Sequence, residues 1–238
     1  MLVLTKDTKQ PDFKEGTIII VDKPLTWTSF NVVSKIRYII SRKLGIKKIK
    51  VGHAGTLDPL ATGVLIICTG KATKIIEGIQ AEEKEYKGTF FIGATTPSYD
   101  KETEADNEFN IDHIDKELLE KARLSLVGEI DQHPPIFSAL KVNGKRAYKS
   151  AREGIKVKLK SRKVTINKFE IDYNLPEVGF TINCSKGTYI RSMAYDFGKA
   201  LNAGSYMSSL VRTQNGEFHI DQAWNLEELV EFIQGLEL

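Results

Sequence analysis

The residues best suited to chemistry lie in Gly52-His-Ala-Gly-Thr-Leu-Asp-Pro-Leu-Ala-Thr-Gly63, twelve positions that hold three glycines and one proline. Asp58 precedes Pro59, which biases it away from helical geometry. Two readings follow from local chemistry. The carboxylate closes a loop as an Asx-turn, or it is a reactive carboxylate fixed beside backbone that a ligand can approach closely. Other chemistries find no motif. Gly70-Lys71-Ala72 looks like half a phosphate loop, but Leu65 stands where the first glycine belongs and Ala72 where Ser or Thr belongs. No Gly-x-Gly-x-x-Gly follows a strand, and Gly-x-Ser-x-Gly is absent. His53, His113, His133 and His219 lack metal-ligand spacing. Cys68 and Cys184 form no disulfide framework or zinc pattern and sit in apolar stretches, as buried thiols would.

Charge is segregated along the chain. Lys35 to Lys50 carries seven basic residues and no acid, and Lys141 to Lys163 carries ten with one acid, Glu153. Asp100 to Glu120 holds nine acids against two lysines, and Glu217 to Leu238 holds six acids and no Lys or Arg. The net charge of +3 is thus a near-cancellation of opposite regions. Two long basic runs point to an anionic partner on one face, with nucleic acid favoured.

The elements that must position Asp58 are readable from periodicity. Gly16–Asp22 reads as a buried strand, and Ser29 as the cap of a helix burying Phe30, Val33, Ile36, Ile39 and Ile40. Val64–Cys68, Glu85–Gly93 and Gly179–Cys184 read as strands, and Lys156–Tyr173 as one or two more. Helices are expected at 72–79, at 118–127 behind Asp115, at 192–201, and at 226–233 behind Asn225. Tyr99–Asn110 reads as an exposed acidic loop. Without strict βαβ alternation, this is an α+β chain with a mixed sheet. Its 238 residues, 41% hydrophobic and 27% charged, fit ordinary globular material. No apolar run approaches the ~20 residues of a membrane helix, and the N-terminus lacks signal-peptide order. A cytoplasmic setting is expected.

GHAGTLDPLATGVL resembles the signature segment of the TruB-type pseudouridine synthases. Further segments carry the resemblance in order: Val21-Asp-Lys-Pro24 with Thr28-Ser29, Lys84-Glu-Tyr-Lys-Gly88, Pro134-Pro-Ile-Phe-Ser-Ala-Leu-Lys141, Cys184-Ser-Lys-Gly-Thr-Tyr-Ile-Arg191 and Leu210-Val-Arg-Thr213. The resemblance implies the pseudouridine synthase fold, a central mixed, mostly antiparallel sheet flanked by helices, with an RNA-clasping insertion at about 128–155. It implies isomerisation of the uridine at position 55 in the TΨC loop of tRNA, with no cofactor and no metal. Asp58 would be the catalytic carboxylate, Arg191 its ionic partner and Tyr86 the residue that stacks on the target base. Tyr189 would touch the base or its phosphate, and Lys23 and Leu210 would support the pocket. His53 would lie against flipped-out nucleotides. Lys141, Lys145, Arg146, Lys149 and Arg152 would meet phosphates of the T-arm.

Bacterial members usually continue into a small C-terminal RNA-binding (PUA) domain. Glu217–Leu238 is too short for one, so a single catalytic domain over 1–238 with an acidic tail is expected, acting as a monomer. A guide-RNA-dependent relative shares the Gly-His-x-Gly-Thr-Leu-Asp-Pro core, but Leu60-Ala-Thr-Gly63 and the missing domain favour a stand-alone enzyme. A non-catalytic RNA-binding or tRNA-folding protein would explain the basic runs and leave Asp58 with Arg191 unused. If the second basic run meets phosphates, the logarithm of tRNA affinity falls linearly with the logarithm of salt. Neutralising Lys145, Arg146 and Lys149 together should flatten that slope in a filter-binding titration, and an unchanged slope removes this run from the interface.

Overall fold

The computed structural model describes residues 1–138, 140–142, 145–147 and 159–237. The chain divides into two compact units, Met1–Glu85 with Val211–Leu238, and Tyr86–Leu210. It passes from one to the other inside two strands, β5 (Lys84–Ile92) and β13 (Ser205–Asn215).

In the first unit, β2 (Thr17–Lys23) is the buried strand expected from its apolar run, one residue further along. It pairs antiparallel with β4 (Ala61–Thr69) in the register Ile18↔Cys68 to Lys23↔Gly63, and parallel with the short β1 (Leu2–Val3). β3 (Val51–His53) forms an antiparallel pair with the far end of β4, His53 opposite Ile67. Ile18, Ile20, Val64, Ile66 and Cys68 build a core with Ala72, Ile79 and Phe218. After β4 the chain forms a 3-10 turn, Gly70–Ile75, and then α2 (Ile76–Ala81), where one helix was expected.

Helix α1 (Ser29–Lys43) departs from expectation at its start. Thr28, not Ser29, is the cap: its hydroxyl accepts from the Asn31 N–H, and the Asn31 side chain returns the bond to the Thr28 N–H. Val32, Val33, Ile36, Ile39 and Ile40 are buried, whereas Phe30 is 67% exposed. At about 100° per residue, Phe30 points roughly 120° away from the centre of that stripe. The C-terminal residues form β14 (Phe218–His219) and a helix over Leu226–Gly235, capped by Asn225 as expected.

In the second unit, β11 (Arg162–Ile171) pairs antiparallel with β12 (Glu177–Cys184), with an irregularity between Ile166 and Lys168. Its other edge pairs with β8 (Gly128–Gln132). β6 (Ala94–Thr95) and β7 (Asn107–Glu108) make a small separate ribbon. α3 (Lys116–Leu124) is capped by Asp115, and α4 spans Ile190–Ala200. Phe90, Phe169, Phe180 and Phe197 pack as an aromatic core, with Phe90 stacked on Phe180 at 4.2 Å between centroids. β9 (Lys141–Val142) and β10 (Lys145–Arg146) pair antiparallel, so the basic run opens on a two-stranded ribbon. Lys149 and Arg152 lie outside the described residues.

Among the described residues, the strands outside the two ribbons form one ten-stranded mixed sheet in the order β1-β2-β4-β13-β5-β12-β11-β8, with β3 on β4 and β14 on β13. This is the α+β arrangement of a large sheet flanked by helices that the sequence implied. Among the described residues, no helix is long and apolar enough to cross a membrane.

Candidate active site

Asp58 stands at the entry to β4, half-buried, its carbonyl accepting from the Ala61 N–H at 3.1 Å. Both of its chain neighbours are pinned. On the N-terminal side, the buried Ser29 hydroxyl exchanges two hydrogen bonds with Leu57, accepting from its N–H at 2.9 Å and donating to its carbonyl at 3.2 Å. On the C-terminal side, the Pro59 carbonyl accepts from the Thr26 N–H at 2.8 Å and from Lys23 Nζ at 3.3 Å. Thr26 holds a positive φ of 70°. A β-branched residue pays on the order of 1–3 kcal/mol for that conformation, so the surrounding structure imposes this turn.

Lys23 is fully buried and donates also to the carbonyls of Pro24 at 2.8 Å and Trp27 at 2.6 Å. Burial draws its pKa from the ordinary 10.5 down to about 8, against the opposing pull of the Asp58 and Asp22 charges. It therefore remains an ammonium at neutral pH, close enough to Asp58 to feel its charge.

The rest of the loop is held from β13. Arg212, 1% exposed, donates from Nε to the Val64 carbonyl at 2.7 Å and from Nη2 to the Gly55 carbonyl at 3.1 Å. The Asn215 amide reaches the Ala54 carbonyl at 3.4 Å, and Asp22 accepts from the Gly63 N–H at 2.9 Å. Gly63 sits at φ +97°, where a Cβ would stand 2.3 Å from the Arg212 carbonyl oxygen, so only glycine lets these strands close. His53 is half-buried on β3; burial lowers its pKa, and the Arg212 charge adds to the effect.

In the second unit, Arg191 lies in the first turn of α4 with only 3% of its side chain exposed. It donates to the carbonyls of Ser98 at 3.2 Å and Phe137 at 3.0 Å, and its Nε lies 3.5 Å from Asp100 Oδ2. Asp100 is equally buried, which corrects the reading of Tyr99–Asn110 as a wholly exposed loop. A carboxylate enters the interior with a cation to pair with. Tyr189 caps α4 with its backbone, and Gln132 grips that residue twice, donating to its carbonyl at 3.1 Å and accepting from its N–H at 2.8 Å. The Arg162 guanidinium stacks over the Tyr189 ring at 4.5 Å. Tyr86 and Leu210 are both nearly buried, on β5 and β13.

A family model described as TruB family pseudouridylate synthase (N terminal domain) matches residues 41–190. The chain belongs to this family. It is 52% identical to tRNA pseudouridine synthase B of Flavobacterium johnsoniae, over 94% of this chain and 98% of that one. It is 54% identical to the protein of that name from Phocaeicola vulgatus, over 95% and 97%. Among solved structures it resembles a Cbf5-Nop10-Gar1 complex, with a TM-score of 0.69 and 26% identity over 97% of this chain and 62% of that chain. It also resembles an H/ACA RNP bound to a substrate RNA containing 2'-deoxyuridine, with a TM-score of 0.66 and 26% identity over 92% of this chain. The chain spans 53% of that neighbour's length.

The pseudouridylate synthase motifs thus divide by unit. Lys23, His53 and Asp58 stand in the first, and Tyr86, Tyr189, Arg191 and Leu210 in the second. Four further residues do positioning work that sequence reasoning missed: Ser29, assigned to a cap, and Asp100, Gln132 and Arg212. Arg212 had a detectable signal, since it stands in the Leu210-Val-Arg-Thr213 segment, whereas Gln132 lay in no segment read as an element. Among the described residues, no group of three His, Cys, Asp or Glu side chains could hold a metal ion.

Lys23 gives a pH signature. Between pH 8 and 10.5 the unfolded chain keeps a proton that the folded chain has released, so stability rises across that window. Lys23→Met lacks this ionisation. Urea midpoints of wild type and variant should diverge in favour of the wild type as pH rises through the window, and parallel curves contradict a buried ammonium here.

Proposed function

We propose that this chain isomerises uridine to pseudouridine at position 55 in the TΨC loop of tRNA, with Asp58 as the catalytic carboxylate. The observation that carries this reading is the Asp58 loop, gripped on both flanks by residues of the Asp-Lys-Pro and Thr-Ser motifs. Support also comes from the relatives named tRNA pseudouridine synthase B, which match almost end to end.

The reaction breaks the bond from sugar to base nitrogen, turns the base, and rejoins it through carbon. It is redox-neutral and confined to one nucleotide, so this chemistry calls for no cofactor. Two routes start from the same group. Asp58 attacks the anomeric carbon, or it takes part in removing the 2′ proton to give a glycal. Either needs an ionised carboxylate. Arg191 is the basic residue of this chemistry, and Asp100 and two backbone carbonyls fix its plane.

The uridine must leave the stack to reach the carboxylate, at a cost of a few kcal/mol. Stacking on an aromatic side chain returns about 1–3 kcal/mol, the role of Tyr86. Tyr189 and Leu210 line the pocket, and His53 lies against the displaced nucleotides. Lys141, Lys145 and Arg146 on the β9–β10 ribbon meet T-arm phosphates, where charge sets affinity more than specificity.

Asp58→Asn keeps the shape and removes the charge. Pseudouridine formation should fall at least about 10⁴-fold, the scale seen when one catalytic group is removed, while tRNA binding by filter assay stays within threefold of wild type. Near-normal turnover in this variant contradicts the assignment.

A further inference from the structure

A second basic feature lies at the other end of β4 from Asp58. A cavity of about 410 Å³ is lined by Lys14, Lys48, Lys50, Lys71 and Lys74 around Ile46 and Ile49. Three separate segments supply these lysines, and backbone bonds lock them together. The Gly70 N–H donates to the Lys50 carbonyl at 2.9 Å, and the Lys71 N–H to the Lys14 carbonyl at 3.2 Å. Gly70 adopts φ +50°, and a Cβ there would lie 2.0 Å from the Lys14 oxygen, so glycine is required for this close approach. The glycine of Gly70-Lys71-Ala72, which fails as a phosphate loop, therefore serves to gather lysines. Lys71 is paired with Glu15 at 2.7 Å. Among the described residues, Lys14, Lys48, Lys50 and Lys74 have no carboxylate at ion-pair distance.

From this observation we infer that the lysine cavity is a second RNA-backbone site, one that takes phosphates remote from the reacting uridine. The inference rests on the proposed tRNA substrate. The nine-residue β4 separates the two places by about 26 Å at the rise of an extended strand. A duplex arm carries closely spaced charges along its axis, so one rigid RNA can present phosphates at both ends of that span. Ammonium groups suit this task as point charges that do not read sequence. The cluster continues the acid-free run that begins at Lys35, which gives the RNA a charged track rather than a single point.

The test compares wild type with Lys48→Gln/Lys50→Gln/Lys74→Gln, all three exposed positions, after thermal melting confirms an unchanged fold. Filter binding is measured from about 50 mM to about 200 mM salt with full-length unmodified tRNA and with a hairpin of the T-arm alone. With full-length tRNA, affinity should fall about tenfold at the low-salt end, and the salt slope should shrink by about 2, near 0.7–0.9 per phosphate lost. Hairpin binding and hairpin turnover should not change, and a triple Arg variant should restore tRNA affinity. An unchanged slope with tRNA overturns the proposal. Equal losses on tRNA and hairpin also overturn it, because they place these lysines beside the T-loop. Competition of wild-type tRNA binding by inorganic tripolyphosphate, with the variant's tRNA slope unchanged, reassigns the cavity to a small phosphate ligand. Binding is read apart from turnover. A wild type that makes no pseudouridine but shows the slope change refutes the proposed reaction and leaves this site standing.

Discussion

The Ser29 hydroxyl exchanges two hydrogen bonds with Leu57 on one side of Asp58, while the Lys23 ammonium and the Thr26 N–H hold Pro59 on the other. A single carboxylate can do nucleophilic or proton-transfer chemistry only from a fixed position, and a misplacement of about 1 Å can cost 10²-fold in rate. The glycines that let substrate backbone approach would otherwise leave the loop loose. Here the first unit supplies the missing rigidity from outside the loop. Arg212 and Asn215 hold its N-terminal half from β13, and Asp22 ties its last glycine to β2. Even the strained Thr26 backbone is spent on this grip.

Charge is handled in the same manner in both units, by burying a cation against several acceptors. Lys23 has three carbonyls as well as the field of two carboxylates. Arg191 has two carbonyls and Asp100. A buried ion pair adds little net stability, yet losing one partner is costly, so such pairs are better understood as fixing geometry. The exposed lysines of the β4 cavity face the opposite demand. For the flexible, highly charged partner proposed for them, solvent-facing point charges suit the task.

The strands carrying the site were legible because their apolar runs are long and uninterrupted: Ile18–Val21 and Val64–Cys68 pair as the register of a buried sheet requires. The loop itself was legible from glycine spacing and from Asp58 before Pro59. Its supports were not, because they are tertiary. Ser29 reads locally as a cap, and only the packing of Leu57 against it diverts the hydroxyl, leaving Thr28 to cap α1. Asp100 hides in a run of nine acids, and nothing in that run marks the one carboxylate that Arg191 draws inward. Phe30 looked apolar enough for the core, but helical phase turned it outward.

The central claim is that a rigidly held Asp58 carboxylate converts one uridine of tRNA without outside help. Its most direct test is incubation of the purified protein with unmodified tRNA transcript, in chelator and without cofactor, followed by carbodiimide treatment and reverse transcription. A single stop reporting pseudouridine at position 55 is the predicted result. No stop, or a stop at another uridine, would contradict the account.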